Sequence, residues 1–200
     1  DRQPFAHWPL DAGSGEVAAD RIGQYNATIS DATWATNAGR TCLQFTSVAQ
    51  SYLQTLITIP EKFTLSLWIR PTALDTADNN DYRTLIATPS GLRLLLEQNG
   101  DISLRLPGNT GEYLRGGTVA LDEWSHIVVT FDGKTCRLYL NGEPTTSQPV
   151  RETATPGEEE FFVGSPVNKD TLHVFDGYLD DLRIYNEVLS DDSVQQLSEE

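Results

Sequence analysis

The sequence predicts an all-β domain in which two antiparallel sheets pack face to face as a sandwich. Short runs of apolar or alternating residues recur along almost the whole chain, as expected of strands. Turn dipeptides separate these runs, among them Asn99-Gly100, Asp132-Gly133 and Asn141-Gly142, which supply the positive φ angles of tight hairpins. Many short strands joined by regular turns favour a sandwich over alternating strands and helices.

Nine strands are predicted from the runs themselves. In Phe63–Ile69 the residues Phe63, Leu65, Leu67 and Ile69 share one face, whereas Thr64, Ser66 and Trp68 share the other. The run His126–Phe131 is apolar on both faces, which is typical of a central strand. The predicted strands are Thr41–Phe45, Phe63–Ile69, Thr84–Ala87, Leu92–Glu97, Ile102–Leu106, His126–Phe131, Cys136–Leu140, Phe161–Val163 and Gly177–Tyr185.

Helical pattern is confined to the end of the chain, at Leu189–Leu197. Ser190 is a suitable N-cap, and the acids that follow it favour the positive end of a helix. Val194 and Leu197 would then face a sheet. Two stretches lack a structural pattern. Pro71–Arg83 has the length and polarity of either a binding loop or a mobile, solvated acidic loop, and Gln148–Glu160 resembles a flexible connection.

Length and charge limit the possible functions. We expect one domain over residues 1–200, because neither a repeat nor a low-complexity linker divides the chain. The formal net charge is -15, from 29 acids and 14 bases, which disfavours nucleic acid and anionic lipid as partners. No run of 18 apolar residues could span a membrane. The acidity is compatible with divalent cations, with neutral or basic ligands, or simply with solubility.

The two cysteines, Cys42 and Cys136, have no metal-binding or redox spacing. Either a disulfide or two thiols packed within strands is compatible with the sequence, because the distance between the Cα atoms decides between them.

Four segments in order carry a family resemblance over nearly the whole chain. They are His7–Gly15 with Asp20–Thr28, Phe63–Pro71, Trp124–Gly142, and Phe175–Asn186 with Leu189-Ser190 after it. With these segments the chain resembles the laminin-G-like, concanavalin A-like jelly-roll family of bacterial extracellular proteins. The resemblance implies jelly-roll topology with adjacent termini, and a secreted or cell-surface location within a multidomain chain. It says little about the ligand, because one fold hosts many functions.

The resemblance also implies a structural calcium ion held where the N-terminal loop packs near the last strand. The implied ligands are Asp20, Asn26 and Asp180, with backbone oxygens near Gly23 and Thr28. Asp181 is the substitute carboxylate. Calcium takes six to eight oxygen ligands, which such a loop can offer. In the alternative interpretation Asp180 pairs with Arg183 or another base, and Asp20 caps a turn.

The sequence gives no support for catalysis. Glycoside hydrolysis needs two carboxyl groups facing one sugar, and the E-x-D-x-x-E pattern of related hydrolases is missing. In Glu158-Glu159-Glu160 and in Asp180-Asp181 successive side chains would alternate between faces of a strand. The histidines His7, His126 and His173 have no metal-ligand spacing.

A lectin-like surface remains the best functional hypothesis. Sugar sites combine an aromatic platform with a few directional polar groups. The predicted ligand-binding residues are Asp75, Asp78, Asn79, Asn80, Asp81, Tyr82, Arg83, Tyr113 and Arg115, with Tyr52 as a further candidate platform. The four tryptophans are interpreted mainly as core residues.

We therefore expect a non-catalytic carbohydrate-binding or adhesion module of a larger extracellular protein. It would be a monomeric domain that binds a glycan or polysaccharide on a cell surface or in a matrix. A structural or protein-interaction module without a glycan site is the first alternative, and a glycoside hydrolase or polysaccharide lyase on the same fold is the second.

Overall fold

A computed structural model describes residues 2–74, 82–109, 113–151 and 153–200. In these ranges it contains strands β1 to β16, one 3-10 helix at Thr171–His173 and one α-helix, α1, at Asp191–Leu197. The strands are β1 Ala6–Trp8, β2 Val17–Ala18, β3 Ala27–Ser30, β4 Thr33–Asn37, β5 Arg40–Phe45, β6 Tyr52–Ile57, β7 Phe63–Ala73, β8 Tyr82–Ala87, β9 Arg93–Glu97, β10 Asp101–Arg105, β11 Leu114–Thr118, β12 Ser125–Phe131, β13 Thr135–Leu140, β14 Glu143–Pro149, β15 Glu159–Val163 and β16 Asp176–Tyr185.

The strands form two antiparallel sheets, which confirms the predicted sandwich. Sheet I has the order β14-β13-β12-β7-β16-β5-β4, and β1 pairs with the far part of β16. Sheet II has the order β11-β10-β9-β8-β15-β6-β3-β2. The central position of β12, between β7 and β13, agrees with its apolar residues on both faces.

The core lies between the two sheets. From β7 it receives Phe63, Leu65, Leu67 and Ile69, the face that the alternation predicts. At one edge the sheets meet directly. The Thr146 hydroxyl of β14 donates to the Arg115 carbonyl of β11 at 2.8 Å. A Cβ at Gly116 would lie 2.3 Å from the Thr146 hydroxyl oxygen, so glycine is needed for this close approach.

All nine predicted strands are present within one or two residues at most ends, but β7 is longer than predicted. It continues through Pro71, which the prediction took as the start of a loop. Pro71 lies beside a register shift between Asp176 and Gly177 of β16, where a missing N–H is tolerated.

The strands that were not predicted lack strong apolar alternation. The edge strand β14 is almost entirely exposed and contains two prolines. The strand β11 contains two glycines. Their pairing depends on neighbouring strands more than on their own composition.

The C-terminal helix agrees with its prediction. The Ser190 hydroxyl accepts a hydrogen bond from the Ser193 N–H, which caps α1. Val194 and Leu197 pack against the outer face of sheet I. Among the described residues no helix is long and apolar enough to cross a membrane.

The beginning and end of the described chain meet at β16, because β1 pairs with this strand and Glu200 lies 2.6 Å from its Arg183. Ala6, His7 and Trp8 of β1 pair with Ile184, Arg183 and Leu182. The expectation of adjacent termini is therefore confirmed.

Cys42 and Cys136 are free, buried thiols. They lie on β5 and β13, which β16, β7 and β12 separate. Four strand spacings correspond to roughly 19 Å, far beyond the Cα separation of a disulfide. Burial raises the pKa of Cys42 to about 11 and that of Cys136 to about 12, so neither thiol is set up as a nucleophile.

Candidate functional site

A bulge in β16 decides which face its two aspartates occupy. Leu179 and Leu182 are both in the core although three positions separate them, a spacing that a regular strand would place on opposite faces. The register shifts between Asp180 and Arg183, and Asp181 has a φ of 48°, in the left-handed region. The bulge absorbs Asp181 and leaves Asp180 on the outer face of sheet I.

Asp180 begins a row of side chains that crosses sheet I. It lies opposite Trp68 of β7, which lies opposite His126 of β12. The Trp68 ring stacks on the His126 ring with centroids 4.9 Å apart. The Arg40 guanidinium lies 4.3 Å from the Trp68 centroid and 3.0 Å from an Asp180 carboxylate oxygen. Trp68 thus lies between an imidazole and a guanidinium.

A second row lies next to the first, toward the end of the sandwich. Tyr178 of β16 is opposite Arg70 of β7, and Trp124 immediately precedes β12. The Trp124 and Tyr178 rings are 6.5 Å apart and tilted by 47°. The Asn37 side-chain oxygen accepts hydrogen bonds from Arg70 Nη1 and, at 3.2 Å, from Trp124 Nε1.

These two rows form a partly exposed surface that we call the aromatic platform. Its members are Asn37, Arg40, Trp68, Arg70, Trp124, Tyr178 and Asp180. Arg40 connects the rows, because it lies 5.7 Å from the Trp124 centroid as well as over Trp68. The platform therefore combines aromatic rings with an amide, a carboxylate and two guanidiniums.

Burial perturbs two titrating groups beside the platform in opposite directions. Burial raises the pKa of Asp180 to about 6, although the Arg40 guanidinium opposes this shift. Burial lowers the pKa of His126 to about 4, so the ring is neutral at pH 7. His126 shares a hydrogen bond of 2.8 Å with the Ser66 hydroxyl. His126 is therefore a buried, hydrogen-bonded residue of sheet I.

Asp181 belongs to a separate network at the chain ends. Its carboxylate lies 2.7 Å from His7 Nε2 and 2.7 Å from Arg183, which also contacts Glu200 at 2.6 Å. Burial by itself would raise the pKa of Asp181, but the hydrogen bonds from His7 and Arg183 hold it below its ordinary value. This network ties β1 to β16.

The Asp20 carboxylate organises the N-terminal loop through the backbone. One oxygen accepts from the N–H groups of His7 at 2.8 Å and Ile22 at 3.0 Å. The other accepts from those of Gln24 and Tyr25, both at 3.0 Å. Four hydrogen bonds correspond to the usual capacity of a carboxylate. In this conformation Asp20 offers no further lone pair to a cation.

The remaining predicted calcium ligands lie only partly together. The Asn26 side-chain oxygen accepts from the Asp20 N–H at 2.9 Å, and the Gly23 N–H donates to the Asp20 carbonyl. Thr28 is in β3, whereas Asp180 pairs with Arg40. The described residues contain no group of three or more His, Cys, Asp or Glu side chains suited to a metal. Calcium binding stays a prediction.

The predicted binding loop is covered in part. Asp75, Asp78, Asn79, Asn80 and Asp81 lie outside the described residues.

The two described residues at the end of this loop make internal contacts. The Tyr82 ring stacks on His173 with centroids 4.2 Å apart. Arg83 is 6% exposed, lies 3.1 Å from Asp176 and donates to the Val174 carbonyl at 2.9 Å. Arg83 therefore has a clear structural role.

The other predicted ligand-binding residues, Tyr113, Arg115 and Tyr52, lie in or beside the strands of sheet II. Arg105 is 4.2 Å from the Tyr113 centroid, and the exposed Arg115 lies 3.5 Å from Glu97. Lys169 Nζ lies 4.7 Å from the centroid of the Tyr52 ring. Across the sheet, Tyr82 is opposite Glu97, so Tyr82 and Arg115 share one end of sheet II.

The interpretation of the tryptophans as core residues is right for only part of the set. Trp8 is 1% exposed and stacks on Phe161 in the core, and Trp34 packs against the same core. Trp68 and Trp124 lie on the outer face instead. The sequence contained a signal for Trp68, which shares its face with Thr64 and Ser66 rather than with the leucines. The contacts of Arg40 and Asn37 with these two tryptophans were visible only in the tertiary structure.

A family model described as the concanavalin A-like lectin/glucanases superfamily, Laminin_G_3, matches residues 45–195. Comparison with curated protein sequences gave no match.

Several solved structures have a similar fold at low sequence identity. Domain 4 of AbnA, a GH43 extracellular arabinanase from Geobacillus stearothermophilus solved with arabinotriose, has a TM-score of 0.77 and 20% identity, with 98% of each chain covered. Trypanosoma rangeli sialidase has a TM-score of 0.73 and 17% identity. That match covers 96% of this chain and 32% of the sialidase. The botulinum neurotoxin serotype D binding domain has a TM-score of 0.73 and 16% identity, with 98% of this chain and 51% of that chain covered. At these identities the similarity shows the fold.

Proposed function

Because the chain belongs to the concanavalin A-like lectin/glucanases superfamily, we propose that it is a non-catalytic carbohydrate-binding module of a larger extracellular protein. The observation that carries the proposal is the aromatic platform on the outer face of sheet I. Partly exposed rings, surrounded by directional polar groups, are the recurring composition of sugar sites.

Each part of the platform has a defined task in this proposal. Trp124 and Tyr178 present apolar ring faces to the C–H groups of a sugar. Arg40, Arg70 and Asp180 supply hydrogen bonds to hydroxyl groups. Asn37 fixes the Trp124 ring through its hydrogen bond to Nε1. Such fixed geometry reduces the entropy lost on binding.

The similar solved structures support a glycan as ligand. The arabinanase domain that aligns over its whole length was solved with arabinotriose. Arabino-oligosaccharides are therefore the first ligands to test.

A binding role fits the carboxylates of the platform better than catalysis. Glycoside hydrolysis commonly uses two carboxyl groups that face one sugar. Asp180 belongs to the platform, but Asp181 is engaged by His7 and Arg183. The raised pKa of Asp180 follows from burial and does not by itself make a catalytic acid.

A glycan array with a matched pair of variants tests the proposal. Trp124→Ala should abolish binding of the glycans that the wild-type domain retains, while Trp34→Ala on the core side of β4 should preserve it. Thermal unfolding of both variants shows that they are folded. Calorimetric titration with arabinotriose then measures affinity, and an assay for new reducing ends checks for hydrolysis.

Other outcomes would redirect the proposal. If Trp124→Ala binds like wild type and Tyr113→Ala does not, the site lies on sheet II, where Tyr82 and Arg115 are predicted to contribute. If the wild-type domain binds no glycan, the structural or protein-interaction alternative gains support. Release of reducing ends would contradict the non-catalytic part.

The extracellular location and the structural calcium ion are also proposals, which rest on the family resemblance. Calcium binding through Asp20 would require the loop to exchange at least one of its four backbone hydrogen bonds for a metal contact.

A further inference from the structure

The charge balance of the aromatic platform differs from that of the whole chain. The platform carries two guanidiniums and one carboxylate, whereas the chain has a formal net charge of -15. Arg40 is paired with Asp180 at 3.0 Å. Arg70 is left as the positive charge of the platform.

Arg70 is distinctive among the arginines of this surface. Among the described residues no carboxylate lies within 4.0 Å of its guanidinium, and Nη1 donates to the neutral amide oxygen of Asn37. Its buried Nε has no acceptor in the described part of the chain. The two residues immediately before Trp124 are the acids Asp122 and Glu123, but both are exposed and neither pairs with Arg70.

A half-buried guanidinium without a counter-ion is costly unless a ligand supplies the missing charge. Arginine presents a planar array of donors that matches a carboxylate with two parallel hydrogen bonds. Arg70 is opposite Tyr178 on β16 and shares the Asn37 oxygen with Trp124, so an anion bound there would belong to a sugar ring placed on the platform.

We infer that the platform binds an acidic glycan, one whose sugar rings carry a carboxylate, and that Arg70 receives this carboxylate. The inference rests on the proposed function, because it names the ligand class of the same site. The carboxylate of the sugar would face Arg70, while the ring faces Trp124 and Tyr178.

Matched pairs of polysaccharides separate charge from shape. The probes are polygalacturonate, alginate and hyaluronan, each compared with its carboxyl-reduced form, in which the carboxylate is replaced by a primary alcohol. Arabinan serves as an unrelated neutral glycan. Biolayer interferometry at 0.15 M salt screens long-range repulsion from the acidic chain beyond about 8 Å and leaves short contacts intact.

We expect at least one acidic polysaccharide to bind at least about tenfold more tightly than its reduced form, as for a charge-assisted hydrogen bond. Arg70→Gln should remove this ratio, because it weakens binding of the acidic form far more than binding of the reduced form. Arg70→Lys should restore only part of the ratio, because an ammonium lacks the planar array of donors. Arg137→Gln, the same charge change elsewhere on sheet I, should keep the wild-type ratio.

The two levels of proposal fail differently. Equal affinity for acidic and reduced forms, with binding still abolished by Trp124→Ala, overturns the acidic ligand and retains the sugar platform. Binding of arabinan only has the same meaning. Loss of the ratio in Arg137→Gln as well as Arg70→Gln would show a general charge effect and overturn the role of Arg70. No binding to any of these glycans overturns the acidic ligand, and no binding to any glycan of the array overturns both proposals.

Discussion

The outer face of sheet I has two halves, which share the same strands but differ in what covers them. In one half, Val128, Tyr139 and Tyr185 are covered by Leu189, Val194 and Leu197 at the C-terminal end of the chain. In the other half, the aromatic platform is covered by no described helix. The strands β7, β12 and β16 run through both halves.

The difference shows how one sheet face can bury some of its aromatic rings and leave others partly exposed. In the covered half the aromatic side chains are buried by the chain itself, so their apolar surface stabilises the fold. In the open half, rings are held by cations and amides instead, which leaves part of their surface available. A ring in the covered half therefore stabilises the fold, whereas under the proposed function a ring on the platform contacts the sugar.

The strongest test of this comparison removes one tyrosine from each half. Tyr139→Ala should lower the free energy of unfolding by about 3–5 kcal/mol, because Tyr139 is 1% exposed and donates to Asp191 at 2.8 Å. Tyr178→Ala should cost only about 1 kcal/mol, because its ring is partly exposed. Urea denaturation measures both values. Equal losses of unfolding free energy in the two variants would contradict the difference between the two halves.

Asp20 lies outside this face, and hydrogen bonds rather than apolar contacts determine its role. Asp20→Ala should lower the free energy of unfolding by about 2–4 kcal/mol even in EGTA, because it leaves backbone N–H groups of the loop without an acceptor. Asp11→Ala should cost less than about 1 kcal/mol, since its ion pair with Arg21 is exposed. An effect of Asp20→Ala that appears only in calcium would contradict this explanation.

The same experiment tests the predicted calcium ion. A ligand specific to the folded state raises stability, by about 2.7 kcal/mol at a hundredfold excess over Kd. If the site forms, calcium should raise the melting temperature of the wild-type domain, and Asp20→Ala or Asp180→Ala should remove the rise. Unchanged melting in calcium, with no metal found by elemental analysis, would reject it.

The pH dependence of stability should distinguish the two adjacent aspartates. The pKa of Asp180 is about 6 in the fold, above its ordinary value of 3.8. Its stabilising contribution is therefore complete below about pH 4 and is lost as pH rises through 6. Asp180→Asn should gain on the order of 2–3 kcal/mol relative to wild type between pH 4 and 7.

Asp181→Asn is the matched control for this experiment. The pKa of Asp181 is below its ordinary value, so its contribution is present above that value and is lost as pH falls. Its difference from wild type should therefore change in the opposite direction. Chemical denaturation at several pH values measures both, and the same sign for both variants would contradict the assignment. The pKa of His126 is about 4 and the Asp181 charge raises it, so the contribution of His126 also changes in Asp181→Asn.

The smallest expected effect concerns the helix that covers the apolar half. Ser190→Ala removes the N-cap of α1 and should lower the free energy of unfolding by about 1 kcal/mol. Ser147→Ala on the exposed strand β14 should leave it within about 0.5 kcal/mol of wild type. If thermal denaturation gives equal values, the helix contributes little to the covered half.

The fold was largely predictable because its signals are local. The alternation in β7, the hairpin glycines and the Ser190 cap each act over a few residues, and all were identified correctly. The bulge at Asp181 was also accessible in principle, since the spacing from Leu179 to Leu182 cannot place both leucines in the core of a regular strand. Strands β11 and β14 were missed because glycines, prolines and exposed positions give little local preference.

The sandwich and the capped helix could be predicted from the sequence alone, and the sequence also carried the resemblance to a lectin-like family. Only the tertiary structure brought Asn37 and Arg40 of β4 and β5 to Trp68, Arg70 and Trp124, and assigned Arg40 to Asp180. Strands that are distant in sequence become neighbours through sheet order and register, which depend on the packing of the whole core. The aromatic platform therefore exists only in the assembled sheet, although each of its side chains was visible in the sequence.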